Sequence, residues 1–341
     1  MTIGSWLGTL LPLVAAPMAG GPSSVALMTA TARAGGFPFV AGGYKAPEAM
    51  AAEVDELRAL GGPFGVNLFV PGGPAPDRAA FGAYVEELRP EAAVYDLRLD
   101  PEPVLDDDDW SAKLAHLLAH PVPVVSLTFG LPLGSDIEAL QRRGTRVLAG
   151  VTTPEEATAA RDAGVDGLVA QGTDAGGHSA THDPARTLEP VATGALLRAV
   201  REAVGLPVIA AGGVDGPDAV RALLDAGAAA VAVGTLLLRT DEAGTSPTHR
   251  AALADPRFDE TVITRAFTGR PARALRNGFI DRHDAAAPVA YPAVHHLTRA
   301  LRQAAGRAGD ADRLHLWAGT GFRSAPTGPA ADVVRWLAGA R

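Results

Sequence analysis

The feature that most constrains this chain is a unit repeated eight times: a short apolar run, a glycine-rich turn, and an amphipathic stretch. The runs are Leu13–Ala16, Phe37–Ala41, Phe64–Phe69, Val122–Phe129, Arg146–Gly150, Gly167–Gln171, Pro207–Ala211 and Ala229–Gly234. They are continuously apolar rather than alternating, as in parallel strands buried on both faces. Several of the following helices open with proline and an acid, as in Ala46-Pro47-Glu48, Thr153-Pro154-Glu155-Glu156 and Gly216-Pro217-Asp218. Proline is pre-shaped for the first helical position and acids favour the first turn; Thr153 with Glu156 also has capping-box spacing. The helices end at glycine before the next strand, for example at Gly144, Gly164 and Gly227. Eight strands in strict alternation with helices specify an α/β fold of the (β/α)8 TIM-barrel type. A doubly wound open sheet is the second choice.

After Thr235 the rhythm breaks. Residues 240–311 show helical patterns, scattered arginines and no convincing strand. They read as a helical subdomain on the substrate side, inserted into a barrel of residues 1–239 and 312–341. A last helix, Ala330 to Ala340, would close the barrel.

Composition narrows the partners. A net charge of -8 argues against nucleic acid, which needs a basic face. The absence of cysteine removes disulfides, thiolate metal sites and a cysteine nucleophile. The apolar start has no basic n-region, and the most apolar late segment is broken by Asp225 and glycines. A cytoplasmic enzyme without membrane segments is expected, as monomer or homodimer.

In a barrel, catalysis sits on loops at the carboxyl ends of the strands. The most unusual loop is Gln171-Gly172-Thr173-Asp174-Ala175-Gly176-Gly177-His178. Its paired glycines let backbone approach a flat ligand, and His178 is suited to take a proton from a carbon acid or to bind an anion. His182 and Asp183 raise a metal reading, but nothing supplies a third ligand. Ala211-Gly212-Gly213-Val214 and Val233-Gly234-Thr235 follow the last two strands, where barrels bind phosphate through backbone N–H groups. Asn67 is a polar residue in an apolar strand, able to donate to and accept from the edge of a planar ligand. Asp106 to Asp109 read as a solvated helix start, and His116 with His120 as surface residues. Arg265, Arg270, Arg273 and Arg276 are equally suited to binding an anion or to solvating the subdomain.

Several segments together resemble one family, the FMN-dependent nitronate monooxygenases, formerly 2-nitropropane dioxygenases. They are Pro12–Gly21, Pro63–Pro71, Asp174–His178, Thr268–Arg273, Tyr291–Thr298 and Leu316–Gly319. The resemblance implies a barrel holding noncovalent FMN, with Asn67, Gln171, Gly176, Gly213, Ala232, Val233, Gly234 and Thr235 as its binding set. It makes His178 the active-site histidine and places Tyr291 and Thr128 at the substrate. It implies oxidation of an alkyl nitronate or nitro compound by O2 to a carbonyl compound and nitrite, with no metal. At Ala15, Asp174 and Thr320 the family usually has Gln, Glu and Gln, and some members carry a second His where Thr128 stands. The differences at 15 and 128 bear on the substrate more than on the cofactor. Two alternatives share the barrel: a flavin-dependent enoyl-thioester reductase, and a phosphate-ligand barrel without flavin.

Overall fold

Each apolar run of the repeat becomes a barrel strand in the computed structural model, which describes residues 4–339. The strands are β1 (Leu13–Ala15), β2 (Phe39–Ala41), β3 (Gly65–Phe69), β4 (Val124–Thr128), β5 (Arg146–Val151) and β6 (Gly167–Gln171). A two-residue strand outside the barrel, β7 (Gly177–His178), precedes β8 (Val208–Ala211) and β9 (Ala230–Val233). The barrel sheet is parallel throughout, in the order β1-β9-β8-β6-β5-β4-β3-β2. It closes between its ends: Phe37 N donates to Leu13 O (2.8 Å) and Ala15 N to Phe37 O (2.9 Å).

The period of two along each strand explains why both faces are apolar. Val14, Phe39, Val124, Leu148 and Ile209 point into the barrel and pack on one another, with Leu7 beside them. Their neighbours Leu13, Ala15, Val147 and Ala149 point outward into the larger core under the helices. Pro47, Pro154 and Pro217 stand at helix starts as the sequence implies. Thr153 Oγ1 accepts from Glu156 N (3.1 Å), but the reciprocal half of the capping box is missing. The Glu156 carboxylate instead takes Thr152 N (2.6 Å) and His182 N (2.9 Å), because the loop beyond β7 passes directly over it.

Residues 240–311 contain helices Pro247–Ala252, Gly278–His283 and Ala293–Ala308, but also β10 (Thr261–Thr264) and β11 (Ala272–Leu275). An all-helical segment is therefore the wrong expectation. The two strands are short and half polar, and they gain stability from a partner far upstream. β11 pairs antiparallel with both β10 and β7, setting Ala272 opposite His178. Helix Arg78–Ala93, which follows β3, packs through Phe81, Tyr84 and Leu88 on Phe267, Phe279 and Val294 of this region. The last helix runs Ala330–Leu337 and joins the outer core through Val333, Val334 and Leu337. Ala340, where the sequence reading ends it, lies outside the described residues. No helix among the described residues is long and apolar enough to cross a membrane.

Candidate active site

The loop after β6 is shaped by backbone packed on backbone. A Cβ at Gly176 would lie 2.5 Å from the Ala318 carbonyl carbon, and one at Gly319 would lie 2.6 Å from Asp174 O. Gln171 braces the same loop: its Nε2 donates to His178 O (3.1 Å) and its Oε1 accepts from Ala180 N (2.6 Å). Both ends of that amide are thus used by the protein. β7 then fixes His178 against β11, and the ring packs 5.4 Å from Trp317, 5.6 Å from Phe129 and 5.9 Å from Tyr291.

His178 Nε2 lies 2.9 Å from Thr268 Oγ1, and that hydroxyl donates to Arg270 O (3.2 Å). The chain of donors assigns the proton to Nε2 and leaves a lone pair on Nδ1. Burial, reinforced by the Arg270 and Arg302 charges, pushes the imidazole down to about 3, so it is neutral at physiological pH.

A cavity of about 1160 Å3 opens at the carboxyl ends of the barrel strands. That exceeds the ~300–1,000 Å3 of ordinary ligand pockets, enough for a cofactor and a substrate together. Asn67, Thr128, Gln171, Gly176, His178, Gly213, Ala232, Val233, Gly234 and Thr235 all line it. Tyr291 does not; it stands behind the lining, its ring 5.4 Å from Phe129 and its hydroxyl 3.5 Å from that of Tyr44.

The turn after β8 has Gly212 and Gly213 at φ +113° and +69°, a conformation L side chains rarely adopt. The N–H groups of Gly213, Gly234 and Thr235 make no hydrogen bond among the described residues. Unspent amides at these two loops fit a phosphate. Asn67 Nδ2 donates to Ser126 Oγ and Thr128 Oγ1 (both 2.9 Å), leaving Oδ1 as its free acceptor.

A model of the family described as nitronate monooxygenase matches residues 5–339. The chain belongs to that family. It is 38% identical to a nitronate monooxygenase of Pseudomonas aeruginosa over 97% of this chain and 96% of the relative. It is 31% identical to a probable nitronate monooxygenase of Staphylococcus aureus strain JH9, over 95% and 92% of the two chains. The solved structure of a nitroalkane oxidase from Streptomyces ansochromogenes superimposes with a TM-score of 0.92 at 48% identity, covering 97% of this chain and 95% of that one. FabK from Thermotoga maritima, at 23% identity and a TM-score of 0.74 over 98% and 94% of the chains, shares the barrel fold. The chain is therefore an oxidoreductase of a generally flavin-dependent family with a small-molecule substrate.

Sequence reasoning misses several residues of this nitronate monooxygenase site. Tyr44 lines the cavity at φ 64°, its ring stacked on His295 at 4.1 Å and 8°. Asp108 holds it there by accepting from Tyr44 N (2.8 Å). The acidic run is thus not simply a solvated helix start. Asp108 also pairs with the buried Lys113 (2.8 Å), and Asp106 pairs with His296 (2.8 Å). Tyr44 and His296 come from distant elements, which local sequence cannot announce; Lys113 lies in the helix that follows the run.

The four candidate arginines divide. Arg276 pairs with Glu260 and Asp281, whereas Arg265 and Arg273 donate to backbone carbonyls. Arg270 is buried with its guanidinium 3.9 Å above the Phe129 ring. His182 Nε2 donates to Gly150 O (3.0 Å), and no group of three or more metal-binding side chains occurs among the described residues. The cavity is also lined by His249, His295, Arg299, Arg302, Arg307, His315 and Trp317.

Proposed function

We propose that the chain is an FMN-dependent monooxygenase that oxidises alkyl nitronates with O2 to a carbonyl compound and nitrite. The observation that carries this reading is a neutral imidazole, His178, in the same cavity as the unspent amides of Gly213, Gly234 and Thr235. The names of its relatives, nitronate monooxygenase and nitroalkane oxidase, point to the same chemistry. When bound, FMN supplies the electron transfer and the reaction with O2.

The chain supplies placement. Gly213, Gly234 and Thr235 would hold the phosphate through main-chain donors, with Ala232 and Val233 of β9 lining the same end, and Asn67 Oδ1 and the Gly176 backbone would meet the ring. Gln171 keeps the His178 loop in register. The residues of 240–311 form the substrate side, with Thr128 near the reacting group and Tyr291 supporting that wall from behind Phe129. Phe129, Trp317 and Tyr291 wall His178 with aromatic surface and keep water from it. Nδ1 can accept a carbon-bound proton, but an imidazole held near 3 is a weak base. A preformed nitronate is therefore the favoured substrate over the neutral nitroalkane.

The test is spectroscopic. The purified protein should be yellow, and anaerobic ethylnitronate should bleach the flavin while NADH should not. With O2 admitted, nitrite should appear in step with nitronate consumed. A colourless protein supports a barrel without flavin, and bleaching by NADH alone supports an enoyl-thioester reductase; either result removes this reading.

A further inference from the structure

The cavity lining carries a charge that the fold leaves uncompensated. Arg302 lies within the Ala293–Ala308 helix, is 6% exposed and lines the cavity. Its Nε donates to Thr298 Oγ1 (3.0 Å), and Nη2 donates to His295 O (2.9 Å) with His295 Nδ1 at 3.2 Å. All three partners are neutral. Nη1 makes no hydrogen bond among the described residues, and no carboxylate there pairs with the guanidinium. Neutral acceptors restore only part of the hydration a buried cation loses, so such a group stands ready for an anion.

Nothing nearby fills that role. Among the described residues Asp174 is the one carboxylate lining the cavity, and it lies at the turn after β8, its Cβ 3.2 Å from where a Gly213 Cβ would stand. Tyr44 and Tyr291 stay protonated, because burial pushes Tyr44 up to about 12 and raises Tyr291 as well. Nor does Arg302 serve its helix dipole, since it lies more than a turn before the C-terminal end at Ala308.

A selection problem matches this arrangement. A nitronate and its parent nitroalkane differ by one proton on carbon and have nearly the same shape, so packing alone separates them poorly. A fixed positive charge in a low-dielectric wall separates them well. We infer that Arg302 is the charge-selecting residue of the substrate site, its free Nη1 edge binding the planar oxyanion of the nitronate in preference to the neutral nitroalkane. The substrate's identity rests on the function proposed above; the anion site itself rests on the guanidinium.

The experiment compares wild type with Arg302→Gln, Arg302→Lys and Arg299→Gln, the last changing an exposed arginine on the same helix that also lines the cavity. Two quantities are read: the ratio of kcat/KM for ethylnitronate to that for nitroethane, and the nitrate dissociation constant from perturbation of flavin absorbance. In Arg302→Gln the ratio falls at least ~10-fold and nitrate binding weakens at least ~10-fold, the scale of one charge-assisted hydrogen bond. Arg302→Lys, which keeps the charge without the fork, holds both within ~3-fold, and Arg299→Gln leaves both near wild type. An unchanged ratio and nitrate affinity in flavin-replete Arg302→Gln overturns the proposal. So does a larger effect from Arg299→Gln. Should Arg302→Gln fail to fold, a collapsed ratio in folded Arg302→Lys overturns it equally. Nitrate binding that depends on Arg302 in a protein turning over no nitronate leaves the anion site standing and removes the reaction.

Discussion

Lowering the pH from 7.5 to 5.5 attacks this protein through its histidines before most carboxylates titrate. Burial pushes His178 down to about 3 and His249 down to about 4. His295 and His315 are lowered too, first by burial and then by the Arg302 charge. In the unfolded chain each imidazole titrates near ~6.5. The unfolded state therefore binds protons that the folded state refuses. The associated stability is complete above pH ~7.5 and drains as pH falls through ~6.5 towards the folded values.

At pH 5.5 each group contributes a loss of about RT ln 11, or roughly 1.4 kcal/mol. Four such groups sum to about 5–6 kcal/mol, comparable with the whole stability of many domains. Urea unfolding followed by circular dichroism at pH 7.5, 6.5 and 5.5 measures it. The expected slope near pH 5.5 corresponds to uptake of between three and four protons on unfolding. His249→Gln should lower that slope by about one proton. A slope below one proton in the wild type would refute the reasoning.

His178→Ala should retain the yellow cofactor and lose turnover with nitroalkanes by ~10²-fold; full turnover removes this side chain from the mechanism. Because the imidazole is neutral throughout, kcat/KM for a preformed nitronate should be flat from pH 6 to 8, and an enzyme inflection near 6.5 would contradict that. Gly213→Asp puts a carboxylate into a turn at φ +69° beside Asp174 and should strip the flavin, measured as pigment released on boiling. Glu156→Ala orphans Thr152 N and His182 N and should cost about 3 kcal/mol in urea unfolding; a loss under ~0.5 kcal/mol shows that water replaces the carboxylate.

The barrel was legible because its strands are apolar on both faces and its helix ends carry proline and glycine, which are local signals. β10 and β11 were not. Thr261–Thr264 is only half buried and β11 carries an arginine, so neither shows the pattern of a core strand. Their pairing with β7 depends on a partner the local window does not contain. At the site, His178 and the two glycine turns after β8 and β9 announced themselves by glycine at a strand end. Arg302 and His295 sit in an ordinary helical pattern, where an arginine reads as surface. Only the fold reveals that this helix turns that face to the cavity. Tyr44 was hidden similarly, since its constraint is a carboxylate 64 positions away.

The glycine contacts at Gly176 and Gly319 have a consequence for descent. The imidazole's loop rests main chain on main chain at Gly176 and Gly319, and Gln171 and Thr268 complete its support. The groups at 128, 295 and 302 belong to other elements and take no part in that junction. A lineage can therefore exchange what it recognises, one residue at a time, while the reacting geometry is inherited unchanged.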